Sequence, residues 1–182
     1  MWEIGPVIVV AYKLDDTVVD SRSRPVENPP VPTVPFANRS VVCGTFEIGD
    51  ANGPYNNGIF TAPRAAAYKF DYTAFLTDYD VDDDGIGEAF GRVSSLLQLQ
   101  TAADAAAGWV DYHQTRSYDS TGDTWEGTAR SNTIISLQIG DQVRHVVSAG
   151  GGTNIGDTGN FVIKGHTNGG ARCTCHSIHS IN

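Results

Sequence analysis

Two groups of residues in this sequence are of the types that bind metal ions. In the first, Asp80, Asp82 and Asp84 stand at alternate positions before a glycine that permits a sharp turn. Calcium loops begin in this way, because the cation needs several oxygen ligands and relieves the repulsion among neighbouring carboxylates. Position twelve of such a loop would be Gly91, which leaves Glu88 as the substitute ligand. The sequence predicts either a calcium site or a solvated acidic loop.

The second group combines thiol and imidazole side chains near the end of the sequence: Cys173, Cys175, His176 and His179. Zinc takes four such ligands in a tetrahedral site, but this spacing differs from that of fingers and ribbons. With Cys43 the chain has three cysteines, an odd number that makes no clean disulfide framework. Three interpretations remain open. The residues form a zinc site, the tails of three subunits bring them together on a symmetry axis, or they bind no metal.

Catalytic motifs are missing from the sequence. The five histidines are scattered, with no nucleophile elbow, no histidine–glutamate metalloprotease motif and no His-x-His pair of the cupin type. The sequence therefore predicts a protein that is not an enzyme and requires no certain cofactor, with calcium as the one candidate.

Composition narrows the classes of partner. The chain has 182 residues, a net charge of −9 and only 12 lysines and arginines, with no basic run. Nucleic acids and anionic membrane surfaces are disfavoured as partners, because both require positive charge. The first residues lack the basic and apolar regions of a signal peptide, so we expect no export by the usual route.

Short strands joined by turn residues follow one another along the chain. The clearest strand runs from Ala67 to Thr77, where Tyr68, Phe70 and Tyr72 share one face. Residues 102–107 predict a single helical turn, and Gly140-Asp141 predicts a tight turn. Strands at intervals of roughly 8–12 residues are typical of an antiparallel sandwich or barrel.

The beginning of the sequence is organised differently. Val7, Ile8, Val9 and Val10 form a strand that is apolar on both faces, and five of the eight prolines follow it within residues 21–35. Proline favours extended chain, so residues 1–35 are predicted to be an attachment arm, before a jelly-roll domain at 36–170 and a tail at 171–182. The alternative is that the strand completes the jelly roll's own sheet.

Two stretches of the sequence resemble the complement component 1q and tumour necrosis factor-like jelly-roll superfamily. In the first, the family's Phe-Thr-Ala-Pro and Tyr-x-Phe-x-aromatic pattern is matched by Phe60, Pro63, Tyr68, Phe70 and Tyr72, with Ala66 where the family has glycine. In the second, 131–143 is similar to a late hairpin that ends in Gly-Asp and valine, and Phe161 stands where the closing strand begins. The resemblance covers residues 36–167.

This resemblance implies a trimeric, antiparallel jelly roll without enzymatic activity, with the aromatic strand in the core or the trimer contact. Together with the arm, and without a signal peptide or collagen-like stalk, it predicts a virion structural protein of a phage or other virus. Its role would be capsid decoration, head fibre or spike, with a capsid or other virion protein as partner. The alternative is an extracellular ligand or carbohydrate-binding adhesin that recognises a cell-surface glycan.

Overall fold

The computed structural model describes residues 5–13, 16–19, 39–42, 54–56, 58–77, 90–118, 126–151, 161–165 and 174–181. Most of these residues are in β-strands, and one 3₁₀ segment spans Ala102–Ala107. In chain order the strands are β1 Ile8–Tyr12, β2 Thr17–Val19, β3 Arg39–Val42, β4 Tyr55–Asn56, β5 Ile59–Thr61, β6 Ala66–Thr77, β7 Phe90–Gln100, β8 Val110–Tyr118, β9 Glu126–Leu137, β10 Gln142–Gly151, β11 Phe161–Ile163 and β12 Cys175–Ile181.

The strands form two six-stranded sheets, which we call sheet A and sheet B. Sheet A has the order β1-β12-β6-β11-β2, with β9 also paired to β6. Sheet B has the order β4-β5-β10-β7-β8, with β3 also paired to β10. Every pairing is antiparallel. The predicted all-β, antiparallel sandwich is therefore confirmed. Within the described residues, no helix is long and apolar enough to cross a membrane.

The aromatic face of β6 lies in the core between the two sheets. Tyr68, Phe70 and Tyr72 are all fully buried, because alternate residues of a strand point to the same side. Phe60 of β5 reaches them from sheet B, with ring centroids 5.1 Å from Tyr68 and 5.6 Å from Phe70 in edge-to-face contacts. These aromatic side chains are enclosed by one chain, so their predicted role belongs to the core and not to the surface offered to another subunit.

The two ends of the described chain meet in sheet A, which corrects the predicted boundaries at residues 35 and 170. Strand β12 lies between β1 and β6, and β1 is paired along its whole length from Ile8 opposite His179 to Tyr12 opposite Cys175. Val9 points into the core and is 6% exposed. Strand β1 is thus part of the jelly roll, as the alternative proposed, and β12 is not a separate tail.

The reason for this correction is the two-sided apolar character of residues 7–10. The core covers one of the two faces, where Val9 and Ala11 are buried, whereas Ile8 and Val10 on the other face stay exposed. Val7 fixes the start of the pairing, since its carbonyl accepts from the Ser180 amide at 2.8 Å and its amide donates to Ser180 Oγ at 2.8 Å. The proline-rich residues 21–35 lie outside the described residues.

The corner between β9 and β10 shows why a glycine and an aspartate follow one another there. Gly140 has a positive φ of 85°, which a residue with a side chain rarely adopts. The buried Asp141 carboxylate then accepts from the Gln138 amide at 2.8 Å and the Ala102 amide at 2.9 Å. These bonds join the β9–β10 turn to the 3₁₀ segment, so the turn predicted from the sequence is confirmed.

Candidate functional site

The predicted calcium loop falls outside the part of the chain that the structure describes. Residues 78–89 connect β6 to β7, and Asp80, Asp82, Asp84 and Glu88 all lie among them. Calcium binding by these carboxylates stays a prediction from sequence.

The predicted zinc ligands are not brought together. Residues 175–181 form β12, so successive side chains point to opposite faces of sheet A. His176 is fully buried between the sheets, whereas His179 is exposed on the outer face, on the same side as Cys175. Cys173 lies outside the described residues, within which no group of three or more histidine, cysteine or acidic side chains converges. Cys175, His176 and His179 are therefore not ligands of one metal ion.

What the structure does build around His176 is a continuous chain of buried polar groups. Tyr55 Oη lies 2.6 Å from His176 Nδ1, and His176 Nε2 lies 3.1 Å from His145 Nδ1. His145 Nε2 lies 2.6 Å from Ser95 Oγ, which lies 2.7 Å from Ser131 Oγ. All five side chains are at most 1% exposed. We call this set the buried polar chain.

The buried polar chain crosses the core and links the two sheets. Tyr55, Ser95 and His145 belong to β4, β7 and β10 of sheet B, whereas Ser131 and His176 belong to β9 and β12 of sheet A. At both ends of the buried polar chain, a hydrogen bond therefore crosses from one sheet to the other: Tyr55–His176 at one end and Ser95–Ser131 at the other. The sequence gives no indication of this arrangement, because the bonded residues are separated by 31 to 121 positions.

The ring of Tyr72 packs against both histidines. The Tyr72 ring is stacked on His176 with centroids 3.9 Å apart and planes inclined by 19°, and its centroid lies 5.3 Å from that of His145. The rings are thus enclosed on several sides by protein groups. Burial makes a charged imidazole costly.

Both histidines are held in the neutral form by this environment. Desolvation lowers the pKa of His145 to about 3. Desolvation also places the pKa of His176 well below 6.5, and the neighbouring His145 lowers it further. Among the described residues, these are the two histidines that sit entirely inside the core.

The sequence of groups Ser95–His145–His176 has the order of a hydrolase triad, in which a serine is activated by an oriented histidine. Two observations argue against that chemistry. A pKa of about 3 makes His145 a poor base at neutral pH, and Ser95 is 1% exposed. The cavity that Ser95 borders holds only about 130 Å³, between β7, β8 and β9. The chain of groups is therefore better suited to joining the sheets than to attacking a substrate.

Two groups of exposed apolar side chains lie on edge strands of the sandwich, and Ile134, Ile139 and Ile181 are further exposed apolar residues. The β1 patch consists of Ile8, Val10 and Tyr12, which are 59%, 46% and 49% exposed on the edge strand of sheet A. The β8 patch consists of Val110 and Tyr112, which are 58% and 50% exposed on the edge strand of sheet B.

The two patches lie at opposite edges of the sandwich. The same residues of β6, Ala67–Thr73, pair with β12 on one side and with β9 on the other. Strand β1 therefore lies at the β12 edge, away from β9. Strand β8 lies beside β9, where the Thr115 hydroxyl donates to the Arg130 carbonyl. One molecule thus presents apolar groups on two separate surfaces.

The outer face of sheet B carries a connected set of polar groups. Arg144 Nε donates to Gln98 Oε1 at 2.8 Å, and Gln98 Nε2 donates to Asp111 Oδ1 at 2.8 Å. The Arg144 guanidinium lies 4.2 Å from the centre of the Trp109 ring. An aromatic ring beside amide, carboxylate and guanidinium groups is a surface that could bind a polyhydroxylated ligand.

Comparison with solved structures identifies the architecture. Murine APRIL at pH 8.0 aligns over 97% of this chain and all of its own, with a TM-score of 0.57 and 7% identity. Eiger TNF from S. frugiperda aligns over 97% of this chain and 93% of its own, with a TM-score of 0.53 and 10% identity. The chain has a TNF-like jelly-roll fold. No protein-family model matches the chain, and no curated protein matches it in sequence.

Proposed function

We propose that this protein is a non-enzymatic, extracellular recognition protein that works as a homotrimer. The TNF-like jelly roll supports this proposal, since the resemblance of the sequence to that superfamily implies a trimer. The observation that carries it is the pair of apolar patches at opposite edges of one molecule, on β1 and on β8.

The positions of the patches favour a head-to-tail contact between copies. If the β8 patch of one subunit covers the β1 patch of the next, the same contact repeats around a ring. A closed ring of subunits covers every patch, whereas an open row of subunits would leave one patch uncovered at each end. Three copies are the number that the family resemblance implies.

Burial of the apolar side chains in the two patches would contribute to this association. Complete burial of a large apolar side chain contributes roughly 1.5–3 kcal/mol. The five side chains of the two patches are about half exposed in the single chain, so each contact would gain on the order of half that amount per side chain. The free energy gained in the contact must exceed the cost of lost rotational and translational freedom. We therefore expect both patches to be needed.

Substitution of each patch tests the proposal. We expect Val10→Asp and Val110→Asp each to convert the assembly to single chains, because either change places an uncompensated charge in the contact. Ile139→Asp is the matched control, since Ile139 is 68% exposed in the β9–β10 turn and belongs to neither patch. The mass in solution, measured by light scattering, gives the result. An unchanged mass for both patch variants would contradict the proposal.

The virion structural role predicted from the sequence has less support. It rests on the interpretation of residues 1–35, with their apolar strand and prolines, as an attachment arm. The incorporation of β1 into sheet A removes the strand that was assigned to docking on a capsid. The similarity of fold to APRIL and Eiger TNF favours the extracellular alternative.

A glycan-binding adhesin is a second candidate function, favoured by the polar groups on the outer face of sheet B. Trp109 could stack on a sugar ring while Gln98, Asp111 and Arg144 bind its hydroxyl groups. A glycan array provides the test. A defined sugar that binds the natural chain but not Trp109→Ala would support the adhesin, and an array without any hit would leave the protein-ligand proposal.

A further inference from the structure

The buried histidine pair has no role in either proposed contact, yet it occupies the centre of the core. Each neutral imidazole has one N–H donor and one acceptor nitrogen. The donors between Tyr55 and Ser95 must therefore all point the same way, either from Tyr55 toward Ser95 or in reverse. In both directions, the bond between His145 and His176 joins sheet B to sheet A.

We propose that the His145–His176 pair is an acid-sensitive latch, which holds the two sheets together when both rings are neutral and releases them when the rings take up protons. The latch lies within one chain, so it does not depend on trimer formation.

Hydrogen bonding accommodates one added proton but not two. A charged His145 can donate from Nδ1 to a neutral His176 and from Nε2 to Ser95. A second proton would set two charged rings with N–H groups facing each other across 3.1 Å. The bond between the sheets would then become a repulsion, and the rings would have to separate.

Described side chains from several strands contact the pair. Tyr55 approaches from β4, Tyr72 from β6, Ser95 from β7 and Ser131 from β9, and all of these are neutral at physiological pH. From β1, Ala11 pairs with His176, and two positions further the buried Lys13 adds a cation on the same face.

The direction of the pH effect follows from the lowered pKa values. In the unfolded chain both histidines titrate near 6.5, whereas in the fold the pKa of His145 is about 3 and that of His176 is also lowered. Between those values the unfolded chain binds more protons, so stability is complete above pH 6.5 and declines as the pH falls. At pH 5, each histidine held neutral lowers the folding equilibrium constant roughly 30-fold.

Thermal melting at pH 7.5 and pH 5.0 tests the latch with three variants. We expect the natural chain to lose roughly 4–8 °C per buried histidine between these pH values. His145→Gln and His176→Gln should each melt lower at pH 7.5 but show a smaller loss on acidification, because one titrating group is gone. His179→Gln is the matched control, since His179 is exposed on the same strand as His176. An undiminished acid loss in both core variants would overturn the proposal.

A second measurement needs no variant and decides the matter if the core variants do not fold. Histidine ring signals of the folded natural chain, followed by NMR as the pH is lowered to 5.5, report the charge of each ring directly. We expect two rings to stay neutral for as long as the chain stays folded. Protonation of all five histidines in the folded chain near pH 6.5 would overturn the proposal.

Discussion

At the scale of single residues, the buried polar chain shows what burial does to groups that would be unremarkable on the surface. His113 and His179 lie outside the core, whereas His145 and His176 are fully buried and bonded to each other. The same side chain is therefore a solvated group in one place and a structural link in another. Burial and hydrogen-bond partners, not residue type, decide which it becomes.

Removal of one hydroxyl from the buried polar chain should measure its contribution to stability. In Tyr55→Phe, the ring remains but His176 Nδ1 loses the partner that lies 2.6 Å away. An unsatisfied buried group costs about 1–3 kcal/mol, and chemical denaturation gives the free energy of unfolding. Tyr112→Phe is the control, because Tyr112 is 50% exposed, and we expect its effect to stay within about 0.5 kcal/mol. Equal values for the two variants would show that the Tyr55 hydroxyl contributes nothing.

The sequence could not predict this site, since its members come from five strands that meet only in the fold. The sequence did draw attention to His176, but as a zinc ligand with Cys175 and His179. That interpretation treated closeness along the chain as closeness in space. In β12 the alternation of side chains sends His176 to one face of the sheet and its neighbours to the other.

At the scale of elements, the strands with strong local patterns were predicted well. Strand β6 alternates aromatic and polar residues, β9 ends at the predicted Gly140-Asp141 turn, and the turn at Ala102–Ala107 ends at Gly108. The local sequence is sufficient to predict these elements, because the alternation of side chains and the residues that favour turns are patterns of only a few positions. The membership of β1 in sheet A was left as an alternative, since its partner β12 lies at the other end of the chain.

Strand β12 was missed for a related reason. Its sequence contains cysteine, serine and histidine and has few of the residues that favour strands, so it resembled a tail. Its stability comes from being held between β1 and β6, with Ile178 fully buried in the core. Tertiary pairing outweighs local preference here.

A pair of isoleucine substitutions tests the place of β12 in the core. Ile178→Ala removes a fully buried side chain and should lower the free energy of unfolding by about 2–5 kcal/mol. Ile134→Ala removes the same atoms from a side chain that is 56% exposed on β9, so its effect should be much smaller. Denaturant titration compares the two. A small effect at both positions would mean that the end of the chain does not belong to the folded core.

At the scale of the whole molecule, the protein is a TNF-like sandwich with apolar side chains exposed at two opposite edges. The core is closed by the two sheets and by the polar chain between them. Under our proposal, a second copy of the chain covers each of these edges. Recognition of a ligand would then be a property of the assembly.

The mass of the natural protein in solution tests the central claim most directly. Light scattering at micromolar concentration and neutral pH should give three times the chain mass of 19.4 kDa. A single species of 19.4 kDa under the same conditions would contradict the account, because both apolar patches would then be exposed to water without a partner.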